Sequence, residues 1–207
     1  MQKIIFSLIS VLLTVTAYSA EIAKSADEVR PLLVGADFPK VELANADGKT
    51  VKLKDHLKGQ TTVLVFYRGG WCPYCTKHLS GLGEVSDDLK SLGAKIVAIS
   101  PDKVSELQKS HSKYKLPYDL YSDSKMKAAK AFGVAFQLDP KLPKIYKSKY
   151  NIDLEASSGE THHQLPVPAV FVFNKKGLLT FQYVNPNYKV RLDGDLLLAA
   201  VKAAKAN

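Results

Sequence analysis

The two cysteines of this 207-residue chain, Cys72 and Cys75, are separated by only two residues. They follow a nearly continuous run of apolar and β-branched residues at 61–67, a pattern typical of a strand buried on both faces of a sheet. We therefore expect the pair to open a helix directly after that strand. A helix N-terminus presents unpaired N–H groups and a partial positive charge, which favour a thiolate over a thiol. The spacing thus predicts a redox-active pair in which the pKa of Cys72 is lowered.

Three other roles for a Cys-x-x-Cys pair suit this sequence less well. A structural zinc site takes four ligands, and the chain has no second cysteine pair. A structural disulfide across so short a loop removes little conformational entropy from the unfolded chain. Two inert buried thiols are the third possibility, but the preceding strand and the adjacent Trp71 favour redox chemistry.

Residues 1–20 have the pattern of a secretory signal. Lys3 supplies the charged start, an apolar stretch too short to span a bilayer runs to about Thr16, and small residues follow up to Ala20. A retained membrane anchor is the alternative interpretation. We expect an exported protein that is soluble after signal removal, and a periplasmic one if the source is a Gram-negative bacterium.

The positive charge is spread along the chain. The formal net charge is +9 at pH 7, and loss of Lys3 with the signal would lower it by one. The lysines are scattered, with the densest run at 140–150, and do not form the basic stripe of a nucleic-acid-binding protein. We therefore expect no nucleic-acid partner. Because there is no internal repeat or low-complexity linker, residues 21–207 are predicted to form one domain.

Hydrophobic periodicity and turn signals predict a mixed α/β domain. The predicted elements are a hairpin around Asp47-Gly48, strands at 61–67, 95–100 and 118–121, helices at 72–92, 103–114 and 123–132, a hairpin at 169–184 and a helix at 194–204. Residues 134–166 show no clear period and are predicted to be an insertion. This order gives a mixed sheet flanked by helices, with the cysteine pair at the carboxyl end of a central strand.

This layout, together with Trp71-Cys72-Pro73-Tyr74-Cys75, resembles the thioredoxin superfamily. Within it, the chain is similar to the alkyl hydroperoxide reductase/thiol-specific antioxidant branch, the peroxiredoxin-like proteins, over most of residues 31–205. Further matching pieces are Gly35-x-x-Phe38-Pro39, Ile99-Ser100-x-Asp102 and Leu165-Pro166-Val167-Pro168-Ala169. Residues 150–166 also look like an insertion of one peroxiredoxin-like subgroup.

The resemblance implies a thioredoxin-like α/β fold with an N-terminal β-hairpin extension and an insertion before the late β-hairpin. It implies a thiol-dependent peroxide reductase that acts on a hydroperoxide and needs no cofactor. A thioredoxin-like dithiol protein would then reduce the oxidised pair.

The sequence departs from the peroxiredoxin pattern at three of four positions. A typical peroxiredoxin carries a Pro-x-x-x-Thr-x-x-Cys run, whose three named places are held here by Arg68, Cys72 and Cys75. The arginine that such an enzyme places just before a late strand corresponds to Pro168. Arg68 is therefore a candidate for supplying the missing positive charge, the alternative being a surface arginine.

Two features match thioredoxin-like oxidoreductases instead. Cys72 directly follows Trp71 at the expected helix start. Pro168 precedes a late strand, where that superfamily carries a cis proline facing the disulfide. The resemblance therefore predicts a cis peptide bond at Pro168, against the alternative of an ordinary trans proline.

Two mechanisms would use the same Cys72–Cys75 disulfide. In a peroxidase, one thiolate attacks a peroxide oxygen and the second thiol resolves the sulfenic acid; in the peroxiredoxin register Cys75 attacks and Cys72 resolves. In an oxidoreductase acting on protein disulfides, Cys72 attacks and Cys75 closes the internal bond. Either sulfur is a candidate for the first attack. Trp71 is predicted to shield the disulfide, and Tyr67 and Tyr74 to pack nearby or to bind a peroxide.

Several polar side chains are weaker candidates for a role in the site. His162 and His163 lie in the insertion, and two thiolates with imidazole would suit Cu(I), although a solvated histidine pair is the alternative and we predict no resident metal. His78, one turn after the pair, is either a group that tunes a thiol or a partly exposed helix residue. Glu84 and Asp102 are interpreted as surface charges or helix caps.

Overall fold

The computed structural model describes residues 22–206. The secretory signal predicted at 1–20 lies outside this part of the chain. Among the described residues, no helix combines the length and apolar character needed to cross a bilayer.

Nine strands and eight α-helices form between residues 22 and 206. The strands are β1 (Glu42–Asn45), β2 (Thr50–Lys52), β3 (Thr61–Phe66), β4 (Ala94–Ser100), β5 (Asp119–Ser122), β6 (Ala135–Gln137), β7 (Gln164–Pro166), β8 (Ala169–Phe173) and β9 (Leu179–Val184). The helices are α1 (Leu53–His56), α2 (Pro73–Glu84), α3 (Ser86–Ser91), α4 (Val104–Tyr114), α5 (Lys127–Ala131), α6 (Leu142–Tyr150), α7 (Leu154–Ser158) and α8 (Gly194–Ala206).

Seven of the strands form one mixed sheet in the order β2-β1-β5-β4-β3-β8-β9. β3 pairs in parallel with β4 and antiparallel with β8, and β4 pairs in parallel with β5. All six residues of β3 are buried, as expected for a strand covered on both faces. The two predicted hairpins are present as β1–β2 and β8–β9. The mixed sheet flanked by helices is therefore confirmed.

Alternate residues of β3 point into two separate apolar cores. Val63 and Val65 lie in a core that also receives side chains from α2, α3, α4 and α8. Leu64 and Phe66 lie in the core on the opposite face, which α1 and α5 cover. Because the first core includes both cysteines, the redox pair is held at the end of a packed central strand.

The helix predicted at 72–92 is interrupted in the structure. α2 and α3 are separated at Val85, whose backbone angles are φ −93° and ψ 5°. Gly81 and Gly83 precede the break, and a glycine within a helix costs about 1 kcal/mol relative to alanine. Low helix propensity just before Val85 accounts for the interruption.

The helix predicted at 123–132 begins later than expected. Met126 has a φ of 57°, in the left-handed region, so α5 starts only at the next residue. The Asp123 carboxylate accepts hydrogen bonds from the N–H groups of Ala128 and Ala129 at 3.0 and 2.8 Å. This residue therefore satisfies backbone donors at the start of α5 without being helical itself.

Residues 134–166, predicted as an insertion without clear periodicity, contain four short elements. β6 and β7 form a two-stranded antiparallel sheet, with α6 and α7 between them in the chain. Leu138, Leu154 and Leu165 form a small core of their own, against which Trp71 packs. Elements this short show too few repeats for a period to be recognised. The contact with Trp71 fixes the insertion beside the redox pair.

The turn that delivers Cys72 to the start of α2 depends on Gly69. Its φ of 145° is one that residues carrying a Cβ rarely adopt. A Cβ at this position would overlap Nε1 of Trp71 and would lie 2.8 Å from Oδ1 of Asp102. Glycine is therefore required here both by the backbone angle and by the space available.

We predict that Gly69→Ala lowers the free energy of unfolding by about 1–3 kcal/mol, the usual cost of a strained backbone position. The measurement is the midpoint of urea unfolding. Gly81→Ala is the matched control, because nothing lies within 4 Å of a Cβ there and the residue is helical. It should raise stability by about 0.5–1 kcal/mol. An unchanged midpoint for Gly69→Ala would contradict the proposed constraint.

Candidate redox site

Cys72 and Cys75 occupy the first turn of α2. Cys72 is the N-cap residue, and the N–H of Cys75 donates to its carbonyl oxygen at 3.0 Å. Both cysteines are reduced, and they are only 1% and 0% exposed. The predicted position at the carboxyl end of a central strand and the start of a helix is therefore correct. The burial means that any charge on either sulfur must be stabilised by the protein.

The two thiols have opposite electrostatic character. A hydrogen bond from the Cys75 side chain is the largest influence that lowers the pKa of Cys72 to about 6, against the opposing effect of burial. The backbone N–H of Cys75 and the charges of Arg68 and Arg191 act in the same direction. Burial raises the pKa of Cys75, and its interaction with Cys72 raises it further. The direction of the two pKa shifts therefore favours the thiolate form at Cys72 and the protonated thiol at Cys75.

Arg68 is a buried cation beside the pair. It is 5% exposed, so the interpretation as a surface arginine is wrong. Its guanidinium donates to the hydroxyl of Tyr146 in α6 at 2.6 Å. The same group lies 4.2 Å from the ring centre of Tyr188 and 5.3 Å from that of Trp71. Cation–π contacts of this kind hold a desolvated guanidinium in place.

Arg191 is a second cation at the site, and no pattern in the sequence indicated its role. It lies in the 185–193 loop, which joins β9 to α8. Its Nη2 atom donates to Sγ of Cys75 at 3.5 Å. From the same loop, Tyr188 packs edge-on against Tyr74 with ring centres 5.7 Å apart. The loop therefore lies directly against the cysteine pair.

Asp102 is buried, contrary to the expectation of a surface charge or helix cap. Its Oδ2 atom accepts the N–H of Gly70 at 2.7 Å, which ties the end of β4 to the turn before Cys72. Burial raises the pKa of Asp102 to about 7, despite this hydrogen bond and one involving Ser100. A signal was present in the sequence, because Asp102 follows a buried strand at the same sheet edge as the cysteines.

The remaining candidates near the pair have packing or electrostatic roles. Tyr67 is buried in the core, whereas Tyr74 is 41% exposed and packs at the rim of the site. His78 is half-buried, and burial, assisted by the charge of Arg191, lowers its pKa to about 4. His78 is therefore neutral at pH 7.

The prediction of a cis peptide bond at Pro168 is wrong. Among the described residues there is no cis peptide bond. The N–H of Val167 donates to the carbonyl of Val134 at 2.8 Å, and the N–H of Asn185 donates to the carbonyl of Pro168 at 3.3 Å. These bonds hold an extended entry into β8, and trans is the lower-energy form of an X-Pro bond.

The copper hypothesis is not supported by the positions of the histidines. Nε2 of His162 lies 2.7 Å from the carbonyl oxygen of Ser124, and its Nδ1 accepts the N–H of Gln164 at 2.9 Å. His163 pairs with Glu155 at 2.8 Å. Between residues 22 and 206, no three His, Cys, Asp or Glu side chains are grouped so as to hold a metal ion.

The fold and the site define a redox protein with a reactive cysteine pair at the start of a helix in a mixed α/β sheet. Residues 34–182 match the model of the AhpC/TSA family. Because this match covers more than half of the chain, the protein belongs to that family, as the sequence predicted.

Two curated relatives illustrate the similarity. The chain is 35% identical to the chloroplastic peroxiredoxin Q of Suaeda salsa over 127 residues, which are 61% of this chain and 56% of that protein. It is 35% identical to peroxiredoxin Bcp of Escherichia coli over 106 residues, 51% of this chain and 67% of that protein. The alignment thus spans little more than half the length of the chloroplastic relative.

Solved structures with the same fold include two peroxiredoxins. Peroxiredoxin Q of Xanthomonas campestris has a TM-score of 0.62 at 23% identity, covering 86% of this chain and 99% of that one. Peroxidoxin BcpB of Mycobacterium tuberculosis has a TM-score of 0.64 at 21% identity, covering 83% and 97%. At this level of identity the comparison establishes the thioredoxin-like fold.

We predict that the thiolate absorbance of the reduced protein rises with a midpoint near pH 6, because Cys72 ionises first. Cys75→Ala should shift this midpoint upward by removing the thiol that donates to Cys72. Cys75→Ser is the matched variant and should shift it less, because a hydroxyl still donates. Equal midpoints in the two variants would show that a hydrogen bond from the side chain at position 75 is not the main cause of the lowered pKa of Cys72.

A second prediction concerns Asp102 and the stability of the fold. Because its folded-state pKa is raised to about 7, this carboxyl adds stability below its unfolded pKa, and that contribution is lost as the pH rises towards 7 and above. Asp102→Asn keeps an oxygen acceptor for Gly70 and cannot ionise. The stability of this variant relative to the wild type, measured by urea unfolding, should therefore increase between pH 4 and pH 8. A constant difference across that range would show that the carboxyl does not titrate as described.

Proposed function

We propose that this protein is a thiol-dependent peroxide reductase in which Cys72 is the attacking thiolate and Cys75 the resolving thiol. The observation that carries the proposal is a buried cysteine pair at the start of α2 with the Arg68 and Arg191 guanidinium groups nearby, in a chain of the AhpC/TSA family. The lowered pKa of Cys72 favours its thiolate at pH 7, whereas only about 3% of an ordinary cysteine is ionised at that pH.

The proposed reaction has two chemical steps within the protein. The Cys72 thiolate attacks one peroxide oxygen, the O–O bond breaks, and Cys72 becomes a sulfenic acid while the alkoxide or hydroxide leaves and is protonated. Cys75 then attacks the sulfenic sulfur, forming the Cys72–Cys75 disulfide and releasing water. The spacing of two residues within one helical turn supports this direct resolution.

Exchange with protein disulfides is the second candidate activity, since it would use the same two sulfurs. The lowered pKa of Cys72 and its place at the start of α2 favour it. Two observations disfavour it. Both sulfurs are buried, which admits a small peroxide more readily than a folded protein, and Pro168 does not have the cis form expected of that class.

Regeneration of the reduced pair requires an external dithiol, and a thioredoxin-like protein is the proposed donor. The relatives named as peroxiredoxins support this choice of chemistry. Since Tyr188 and Arg191 contact the site from the 185–193 loop, this loop has to move before a protein reductant can reach the disulfide. The pattern of residues 1–20 supports the further proposal that the protein acts after export.

The proposal is tested with the reduced protein without residues 1–20 and its Cys72→Ser and Cys75→Ser variants. Hydrogen peroxide or cumene hydroperoxide is added, and peroxide consumption is followed together with thiol oxidation by mass spectrometry. We expect stoichiometric consumption by the wild type, retained first-turnover consumption by Cys75→Ser with a trappable sulfenic acid, and loss of activity in Cys72→Ser.

The outcomes separate the candidate mechanisms. A sulfenic acid trapped only in Cys72→Ser would assign the attack to Cys75, as in the peroxiredoxin register. Peroxide consumption no faster than that of a free thiol, combined with rapid exchange against a protein disulfide, would replace the peroxidase with the oxidoreductase. A variant of an exposed polar residue, Lys77→Gln, is the control for general effects on α2.

A further inference from the structure

The Arg191 guanidinium contacts Cys75, the cysteine whose pKa is raised. Nη2 of Arg191 lies 3.5 Å from Sγ of Cys75. The other terminal nitrogen, Nη1, donates to the carbonyl of Val190 at 2.9 Å, which orients the guanidinium. In the reduced protein, however, the thiol whose pKa is lowered is that of Cys72. The arginine is therefore positioned for a later stage of the reaction than the first attack.

The resolving step requires Cys75 to become negatively charged in a buried place. Once Cys72 has become a neutral sulfenic acid, Cys75 must lose its proton before it can attack. Its side chain is fully buried, and burial disfavours a thiolate strongly. A positive charge in contact with this sulfur is the simplest way to make the thiolate accessible.

Other titratable groups beside Cys75 do not supply that charge. His78, one turn further along α2, is neutral at pH 7 because its pKa is lowered to about 4. Tyr67 stays protonated, since burial raises its pKa well above the ordinary value. Arg68 offers Cys75 a backbone N–H, while its guanidinium is engaged by Tyr146 and aromatic rings.

We propose that Arg191 is a catalytic residue of the resolving step, whose guanidinium stabilises the Cys75 thiolate as it attacks the Cys72 sulfenic acid. The S–S bond forms and the S–O bond breaks. The departing hydroxide takes up the proton released by Cys75, so that water is the only other product. This inference rests on the proposed peroxidase function, although the charge effect on Cys75 can be measured independently of it.

The proposal also explains which residue supplies positive charge to the site, given that Pro168 stands where a typical peroxiredoxin has an arginine. The positive charge comes from the 185–193 loop instead of from the entry to β8. It contacts the second cysteine of the pair, while Arg68 acts on Cys72. The Arg68 guanidinium thus acts on Cys72, whereas that of Arg191 acts on both sulfurs and contacts Cys75 directly.

The first arm of the test measures the charge effect without any peroxide. In a Cys72→Ser background, position 72 carries no charge, as in the sulfenic acid, and Cys75 is the only cysteine of the chain. Adding Arg191→Gln should raise the midpoint of the Cys75 thiolate absorbance by about one pH unit, the loss expected for one hydrogen bond to a charged group. Adding Arg191→Lys should raise it less, and Lys189→Gln, an exposed charge of the same loop, should leave it unchanged.

The second arm resolves the two steps in protein with both cysteines. Trp71 is the only tryptophan and adjoins Cys72, so stopped-flow fluorescence follows the peroxide-dependent first phase and the peroxide-independent second phase. Quenching with dimedone and mass spectrometry identifies the sulfenic acid and the disulfide. Arg191→Gln should slow the second phase by about tenfold, with a smaller effect on the first, and Arg191→Lys should restore part of the rate.

Each result bears on a distinct claim. An unchanged thiolate midpoint together with an unchanged second phase in Arg191→Gln would overturn the proposal. Equal slowing by Lys189→Gln would also overturn it, because a general charge effect would then explain the result. If the wild type consumes no peroxide while the midpoint still shifts, the peroxidase function fails and the effect of Arg191 on Cys75 stands.

Discussion

The interaction between the two buried thiols, which lowers the pKa of Cys72 and raises that of Cys75, is the one around which this site is organised. It favours a negative charge in a place where both sulfurs are almost completely withdrawn from water. A charge in such a place is costly unless donors and cations surround it. The placement of Arg68, Arg191 and the first turn of α2 follows from that cost, since each brings a donor or a positive charge to the pair.

The surrounding fold supplies these groups from distant parts of the chain. The end of β3 and the turn at Gly69 fix where α2 begins, and Asp102 ties that turn to β4. The insertion contributes Tyr146, which holds the Arg68 guanidinium. The 185–193 loop contributes Arg191. A site assembled from so many segments is rigid only when all of them are packed, so its electrostatics depend on the stability of the whole domain.

The sequence was most informative where function and structure are local. β3, β4 and β8 are rich in apolar residues, and the cysteine spacing placed the candidate redox pair within one helical turn. Arg191 was missed because its importance depends on a contact with a residue 116 positions away, for which no local pattern exists. Asp102 was interpreted as a surface charge or helix cap, although its place after a buried strand was a signal of its tertiary contact with the turn before Cys72. The cis form of Pro168 was wrongly inferred from resemblance to one branch of a superfamily, whereas the hydrogen bonds around this proline stabilise an extended trans strand entry.

The peroxiredoxin pattern assigns the first attack to Cys75, whereas the lowered pKa favours Cys72. The residue type at position 72 explains this difference. In the peroxiredoxin pattern this position holds a threonine, whose hydroxyl does not ionise in the physiological pH range. The cysteine three residues later, at the position of Cys75, must then carry the charge. Here a second thiol occupies the place, and it sits at the helix N-cap, where the partial positive charge of the helix favours a thiolate. A proton shared between two such thiols resides on the more buried sulfur, because the dry environment penalises the thiolate there more strongly. In the proposed mechanism, cysteine in the place of threonine moves the nucleophile by about one helical turn, and the Arg191 guanidinium then assists Cys75, the thiol that resolves the sulfenic acid.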